Sequence, residues 1–167
     1  MATSTSLSQI NLLDQNAFVA TLGWIFEDSP WVAERAWASR PFTSLHALED
    51  AMSHQVIVAS REEQLKLLRT HPDLGAKARM SDASIGEQAG AGLDRLSTEE
   101  FTRLQAANAT YRNTFGFPFL FAVKGSTKHE ILAALESRLN ATIEEEFETA
   151  LKQVFRIAAF RLEDQFK

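Results

Sequence analysis

Apolar residues recur along this chain at spacings of three and four, the repeat of a helix with one buried face. Ile131, Leu132, Leu135 and Leu139 follow Thr127, and Phe147, Leu151, Val154, Phe155, Ala158 and Leu162 follow Thr142. The runs open on a recurring signal, Ser or Thr with Glu three residues later: Ser60/Glu63, Ser97/Glu100, Thr127/Glu130 and Thr142/Glu145. Such a pair satisfies two orphan amide donors reciprocally and marks a helix start. Ser29-Pro30 adds a cap with proline in the first turn, where its missing N–H costs nothing. These signals predict helices over 15–22, 30–39, 45–59, 61–70, 85–92, 98–113, 128–139 and 143–164. VIVAS at 56–60 reads as a strand in isolation, but it continues an amphipathic run and has no partner segment. The expected class is all-α, a single-domain bundle of about eight helices. Residues 1–8 are small and polar and are expected to form a disordered tail, which leaves 9–167 as the helical domain.

Composition narrows the function classes. At 167 residues the chain suits one domain. The formal net charge is −5, and no stripe of Lys and Arg is present, which argues against nucleic acid or an anionic membrane as partner. One placed arginine can still hold an anionic small molecule. Cysteine is absent, so disulfides, thiolate catalysis and Cys-ligated zinc are excluded, and a reducing compartment fits. MATSTSLSQINLL lacks the basic start and apolar run of a secretory signal. No segment approaches the roughly 20 apolar residues of a membrane span. The final residues, DQFK, are not a Ser-Lys-Leu type peroxisomal ending, and the expected location is the cytoplasm.

Glycine and proline interrupt the helical pattern in two places, from HPDLG to AGAGL and at FGFPF. Loops on a rigid scaffold are where chemistry tends to sit. His71 falls at the end of the predicted helix 61–70, and Pro72 stops the helix there. Its imidazole can cap the last carbonyls, the commoner use at such a position. It can also carry a proton near neutral pH. Ser84 and Glu87, in SIGEQ, repeat the capping-box pattern, which alone makes them a helix start. Gly86 is out of place in a first turn, however, and Gln88 adds an amide beside the carboxylate. Glu87 and Gln88 together offer donors and acceptors suited to a urea- or amide-like ligand.

Phe115, Phe117, Phe119 and Phe121 stand two apart, yet Pro118 prevents a regular element. A segment this apolar is core or pocket wall, and its free backbone groups need partners. Arg161, in RIAAFRLEDQF, is either a surface arginine paired with Glu163 or Asp164, or a bidentate carboxylate clamp. His46, His54, His71 and His129 show no metal-ligand spacing, and neither a phosphate loop nor a GxSxG elbow occurs. A metal site is not expected.

Taken in order, FVATLGWIFEDSPWVA, LLRTHPDLG, SIGEQAGAGL, ANATYRNTFGFPFLFAVKG, EILAALESRLN and RIAAFRL resemble the 2-oxo-4-hydroxy-4-carboxy-5-ureidoimidazoline (OHCU) decarboxylase family. The resemblance covers about residues 17 to 163, and its specificity lies in the ordered set of blocks. It implies an all-helical homodimer without metal or cofactor that converts OHCU to (S)-allantoin, the last step of urate oxidation. By matching motif, His71 takes the family's catalytic histidine, with Glu87 beside it. Pro72, the segment Ser84, Ile85, Gly86, Glu87 and Gln88, and the segment Phe119, Leu120, Phe121, Ala122 and Val123 fall on substrate contacts. Arg161 falls on the C-terminal arginine that resembles an anion clamp. One local departure is the compact link GAKARMSDASIGEQ between the His and Glu-Gln blocks.

The residue types agree with that chemistry. OHCU carries a carboxylate and a hydroxyl on one carbon, beside a ring C=N that can accept the electron pair left by CO2. The substrate thus holds its own electron sink, the service that cofactors supply elsewhere. Two other readings stand beside it: a non-catalytic helical module that binds a ureide or a protein, and a hydrolase of a related ureide. The first predicts binding without turnover and tolerance of substitution at His71, and the second predicts ammonia or urea in place of CO2.

Overall fold

A computed structural model describes residues 5–75 and 81–167, and all regular structure among them is helical. The helices are α1 Leu7–Leu12, α2 Gln15–Leu22, α3 Trp31–Ala36, α4 Leu45–Ile57, α5 Arg61–Arg69, α6 Asp82–Gly90, α7 Thr98–Phe115, α8 Lys128–Arg138 and α9 Ile143–Gln165. A short 3₁₀ turn, Trp37–Ser39, follows α3. The all-α expectation stands. Two compact units divide the chain: an N-terminal unit that extends to Leu67 and includes Phe155–Lys167, and a central unit, Leu68–Val154.

All four Ser/Thr–Glu boxes form. Each Glu amide donates to the capping hydroxyl at 3.1–3.2 Å, and each carboxylate accepts from the capping residue's own amide at 2.9–3.4 Å. The fifth candidate behaves differently. Ser81 caps α6, with its hydroxyl accepting from the Ser84 amide at 3.2 Å, so the helix starts a turn before Ser84. Ser29 also departs from expectation: its hydroxyl donates to the Glu27 carbonyl at 2.8 Å, and α3 begins without a side-chain cap. VIVAS is no strand, because Val56 and Ile57 complete α4 and the Val58 amide closes onto the His54 carbonyl.

In the N-terminal unit, Phe18, Leu22, Val32, Ala36, Leu48, Met52 and Val56 are buried, and α3 packs on both α2 and α4. Each of these side chains except Ala36 contributes roughly 1.5–3 kcal/mol by leaving water. Helix α1 was not predicted. Its box is Ser6/Gln9, with glutamine in the place of glutamate, and Gln165 donates to the Thr5 hydroxyl at 2.7 Å. Of the expected tail, residues 1–4 lie outside the described residues, while Ser6 to Ser8 belong to α1 and its cap.

In the central unit, α7 and α8 pack together. Tyr111, Phe115, Phe117 and Phe119 form one ring cluster with centroids 4.5–6.3 Å apart, and Phe147 meets Phe117 edge-on at 6.2 Å. Gly116 ends α7 at φ 81, a left-handed cap that glycine adopts without strain.

Candidate active site

The site residues of the central unit lie on two irregular segments and on helix α6, and α7 holds both segments. His71 stands two residues beyond α5 and is buried, with its amide closing onto the Leu68 carbonyl at 3.3 Å. Past Pro72 the loop is tied down residue by residue. Arg112 reaches the Asp73 carboxylate at 2.8 Å, Asn108 Nδ2 donates to the Leu74 carbonyl at 3.0 Å, and Gln88 Oε1 accepts the Gly75 amide at 2.8 Å. Gly75 has φ 72, and a Cβ there would lie 2.6 Å from Leu104 Cδ2, so only glycine fits. Residues 76–80 of the compact link lie outside the described residues.

Helix α6 presents its candidates on different faces. Ser84 and Gln88, four apart, are buried together, while Ile85 is half exposed and Gly86 is exposed. A Cβ on Gly86 would meet nothing within 4 Å, so packing gives no reason for glycine there. Glu87 is half-buried between the two faces. Through its amide, Gln88 fixes the loop after His71, which joins the His and Glu-Gln blocks.

The second segment, Phe119 to Val123, follows Pro118 and is neither helix nor strand. Phe119, Leu120, Ala122 and Val123 are buried, and Phe121 is half-buried against Phe119, ring centroids 6.0 Å apart. Arg138 Nη1 donates to the Leu120 carbonyl at 2.8 Å, and Gln153 Oε1 accepts the Ala122 amide at 2.9 Å. Behind Arg138 stands Glu146, which accepts from Arg138 Nε at 2.7 Å and from the Tyr111 hydroxyl at 2.5 Å. Burial pushes the Tyr111 phenol above its ordinary range, and the hydrogen bond to Glu146 adds to it.

Asn108, Tyr111 and Arg112 stand at i, i+3 and i+4 on one face of α7. Two of them hold the His71 loop, and the third packs on Phe119. Arg69 at the end of α5 adds a bond from Nε to the Gly116 carbonyl at 3.0 Å. The residue-level reading missed all of these except Gln88. Their signal was present only as polar side chains at helix positions, some buried and some exposed, with nothing local to mark their partners.

Arg161 belongs to the N-terminal unit. It is buried, not a surface residue. Its Nη2 meets the Glu27 carboxylate at 2.8 Å, and Nη1 reaches the carbonyls of Trp24 and Ile25 at 3.2 and 3.4 Å. Among the described residues no group of three or more His, Asp and Glu could hold a metal ion, and no helix is long and apolar enough to cross a membrane.

A family model described as OHCU decarboxylase matches residues 11–163. The chain is 51% identical over 161 residues to the 2-oxo-4-hydroxy-4-carboxy-5-ureidoimidazoline decarboxylase of Haloferax volcanii, covering 96% of each. It is 46% identical to the uric acid degradation bifunctional protein PucL of Bacillus subtilis, covering 95% of this chain and 32% of that one. A crystal structure of (S)-allantoin synthase superposes with a TM-score of 0.77 at 33% identity, covering 96% of this chain and 54% of that chain. Helical fold and matched sequence define a carboxy-lyase of purine catabolism. The chain belongs to the OHCU decarboxylase family.

Proposed function

We propose that this chain decarboxylates OHCU to (S)-allantoin with His71 as the proton carrier. The observation that carries this reading is a buried imidazole on a loop whose residues Asp73, Leu74 and Gly75 are each tied by a separate side chain. Fixed geometry of this kind is what proton transfer in a transition state requires. As the bond to the carboxylate breaks, its electron pair passes to the adjacent C=N, and His71 exchanges a proton with the hydroxyl on the same carbon. Glu87 and Gln88 hold ring or ureido N–H groups, and main-chain groups of 119–123 hold the carbonyls. Arg161 binds the carboxylate. Reprotonation from one face then gives one enantiomer. The protein works as a cytoplasmic homodimer, a reading that rests on the family resemblance and on the absence of cysteine.

The test generates OHCU in the cuvette from urate with urate oxidase and hydroxyisourate hydrolase, and follows trapped CO2 and circular dichroism together. Wild-type protein is expected to accelerate CO2 release and leave a lasting (S)-allantoin signal. His71→Ala should lower the rate on the order of 10²–10⁴-fold with its helical spectrum unchanged. Near-full activity in that variant would remove His71 from the mechanism. Racemic product at the uncatalysed rate from folded wild-type protein would favour the binding module instead. Light scattering at micromolar concentration tests the dimer.

A further inference from the structure

The segment 119–123 is gripped at two peptide groups, and peptide geometry fixes what that grip leaves free. A trans peptide sets its C=O and N–H on opposite sides of the chain, and the one cis bond among the described residues is Arg40-Pro41. The Leu120 carbonyl points to Arg138, so the Phe121 N–H of the same peptide points away from Arg138. The Ala122 N–H points to Gln153, so the Phe121 carbonyl points away from Gln153. Neither the N–H nor the C=O of Phe121 has a protein partner among the described residues. Phe121 is also the residue of this segment that is only half-buried.

We infer that Arg138 and Gln153 are positioning residues that present the Phe121 main-chain N–H and C=O as the donor–acceptor pair reading the substrate's ureide. An amide- or urea-like group offers one acceptor and one donor side by side, the complement of that pair. This rests on the proposed reading that 119–123 contacts substrate.

Arg138 suits the task better than lysine would. Its fork spans two acceptors at once, with Nε on Glu146 and Nη1 on the Leu120 carbonyl. Nη2 has no hydrogen-bond partner among the described residues, while the guanidinium carbon lies 4.5 Å from the Phe119 ring centroid. The ring face there stands in for an acceptor. Glu146, nearly fully buried and held by Tyr111, keeps the fork from turning. An arginine locked at three points holds the Leu120 peptide plane, and Gln153 holds the next plane.

The experiment compares Arg138→Lys and Gln153→Met with wild type and with Arg103→Lys, a control at an exposed pair with Glu136. Helical content is checked by circular dichroism, and kcat/KM and the (S) excess of the allantoin are measured from generated OHCU. Arg138→Lys keeps the charge beside Glu146 but cannot also span to Leu120, and Gln153→Met frees the Ala122 amide without leaving a buried charge. Each folded variant should lose about 10²-fold in kcat/KM, the cost of roughly 1 Å of misplacement. Part of the (S) excess should go with it, a readout that a merely structural role would not move. Arg103→Lys should match wild type. Folded variants with wild-type kcat/KM and full handedness would overturn the inference. If one variant fails to fold, the other decides. Wild-type protein without turnover would instead sink the decarboxylase reading, and the inference with it.

Discussion

Each unit of this protein sets an arginine against a buried glutamate, Arg161 itself buried and Arg138 partly so, and the two arginines share a chemistry. Arg138 in the central unit pairs with buried Glu146 at 2.7 Å, holds the Leu120 carbonyl and lies over the ring of Phe119. Arg161 in the N-terminal unit pairs with buried Glu27 at 2.8 Å, holds the carbonyls of Trp24 and Ile25, and sits 5.9 Å from the Trp24 ring. They differ in what they hold. Arg138 grips a segment matched to substrate contacts, whereas Arg161 is itself the residue matched to the anion clamp. A guanidinium fork thus serves as a backbone fixture in one unit and, on the proposed reading, as a substrate ligand in the other. A glutamate behind each keeps it aimed.

The largest effects should come from removing those glutamates. Glu146→Ala and Glu27→Ala each leave a guanidinium without its counter-charge, partly buried at Arg138 and buried at Arg161, a loss of up to about 3–5 kcal/mol, roughly a third or more of a domain's stability. Urea unfolding should show a midpoint shift of that size in both variants. If Glu27→Ala were neutral while Glu146→Ala were not, the likeness between the two pairs would fail, and Arg161 would have a carboxylate-accepting fork to spare.

That likeness marks where the sequence stops being legible. Helix positions came from local information: a capping box closes within four residues, and apolar spacing is a property of one helix, so all four Ser/Thr–Glu boxes formed as read. Helix α1 was missed because Ser6 uses Gln9, and α6 was set one turn late because Ser84 repeats a pattern that Ser81 fulfils. His71, Glu87, Gln88 and the 119–123 segment were legible as breaks in the helical pattern and, as an ordered set, through the family resemblance. The groups that hold them were not. Glu27 lies 134 residues from Arg161, and Asn108 lies 34 from Leu74. No spacing rule joins such pairs, and Glu27 and Asn108 each read as ordinary polar positions in their own segments. Arg138 and Glu146 are only eight apart, but on different helices.

A smaller effect separates the two arginines by function. Arg161→Lys keeps a cation beside Glu27 but loses the fork. On the proposed reading it should weaken substrate binding by one charged hydrogen bond, about 1.5–3 kcal/mol, so KM should rise roughly 10- to 100-fold with the (S) excess intact. Arg138→Lys should instead erode handedness. Steady-state assays of the two variants side by side would break the distinction if both moved KM alone, because both arginines would then act on the same step.

The smallest effect exploits a further partner of the central pair, the Tyr111 hydroxyl that donates to Glu146. At neutral pH, Tyr111→Phe should cost about 1 kcal/mol, the usual net worth of a buried hydrogen bond. Alkali should erase that difference. The phenol is held above its ordinary 10.0, first by burial and then by Glu146. The folded state therefore keeps a proton that the unfolded state releases above about pH 10. Tyr111's contribution is complete below that pH and is lost as pH rises beyond it. Melting midpoints taken from pH 8 to 11 should fall more steeply for wild type than for Tyr111→Phe, and the two curves should converge. Parallel curves would mean that the phenolate is tolerated beside Glu146, which requires Arg138 to neutralise both groups and would make its grip on Leu120 weaker than the geometry implies.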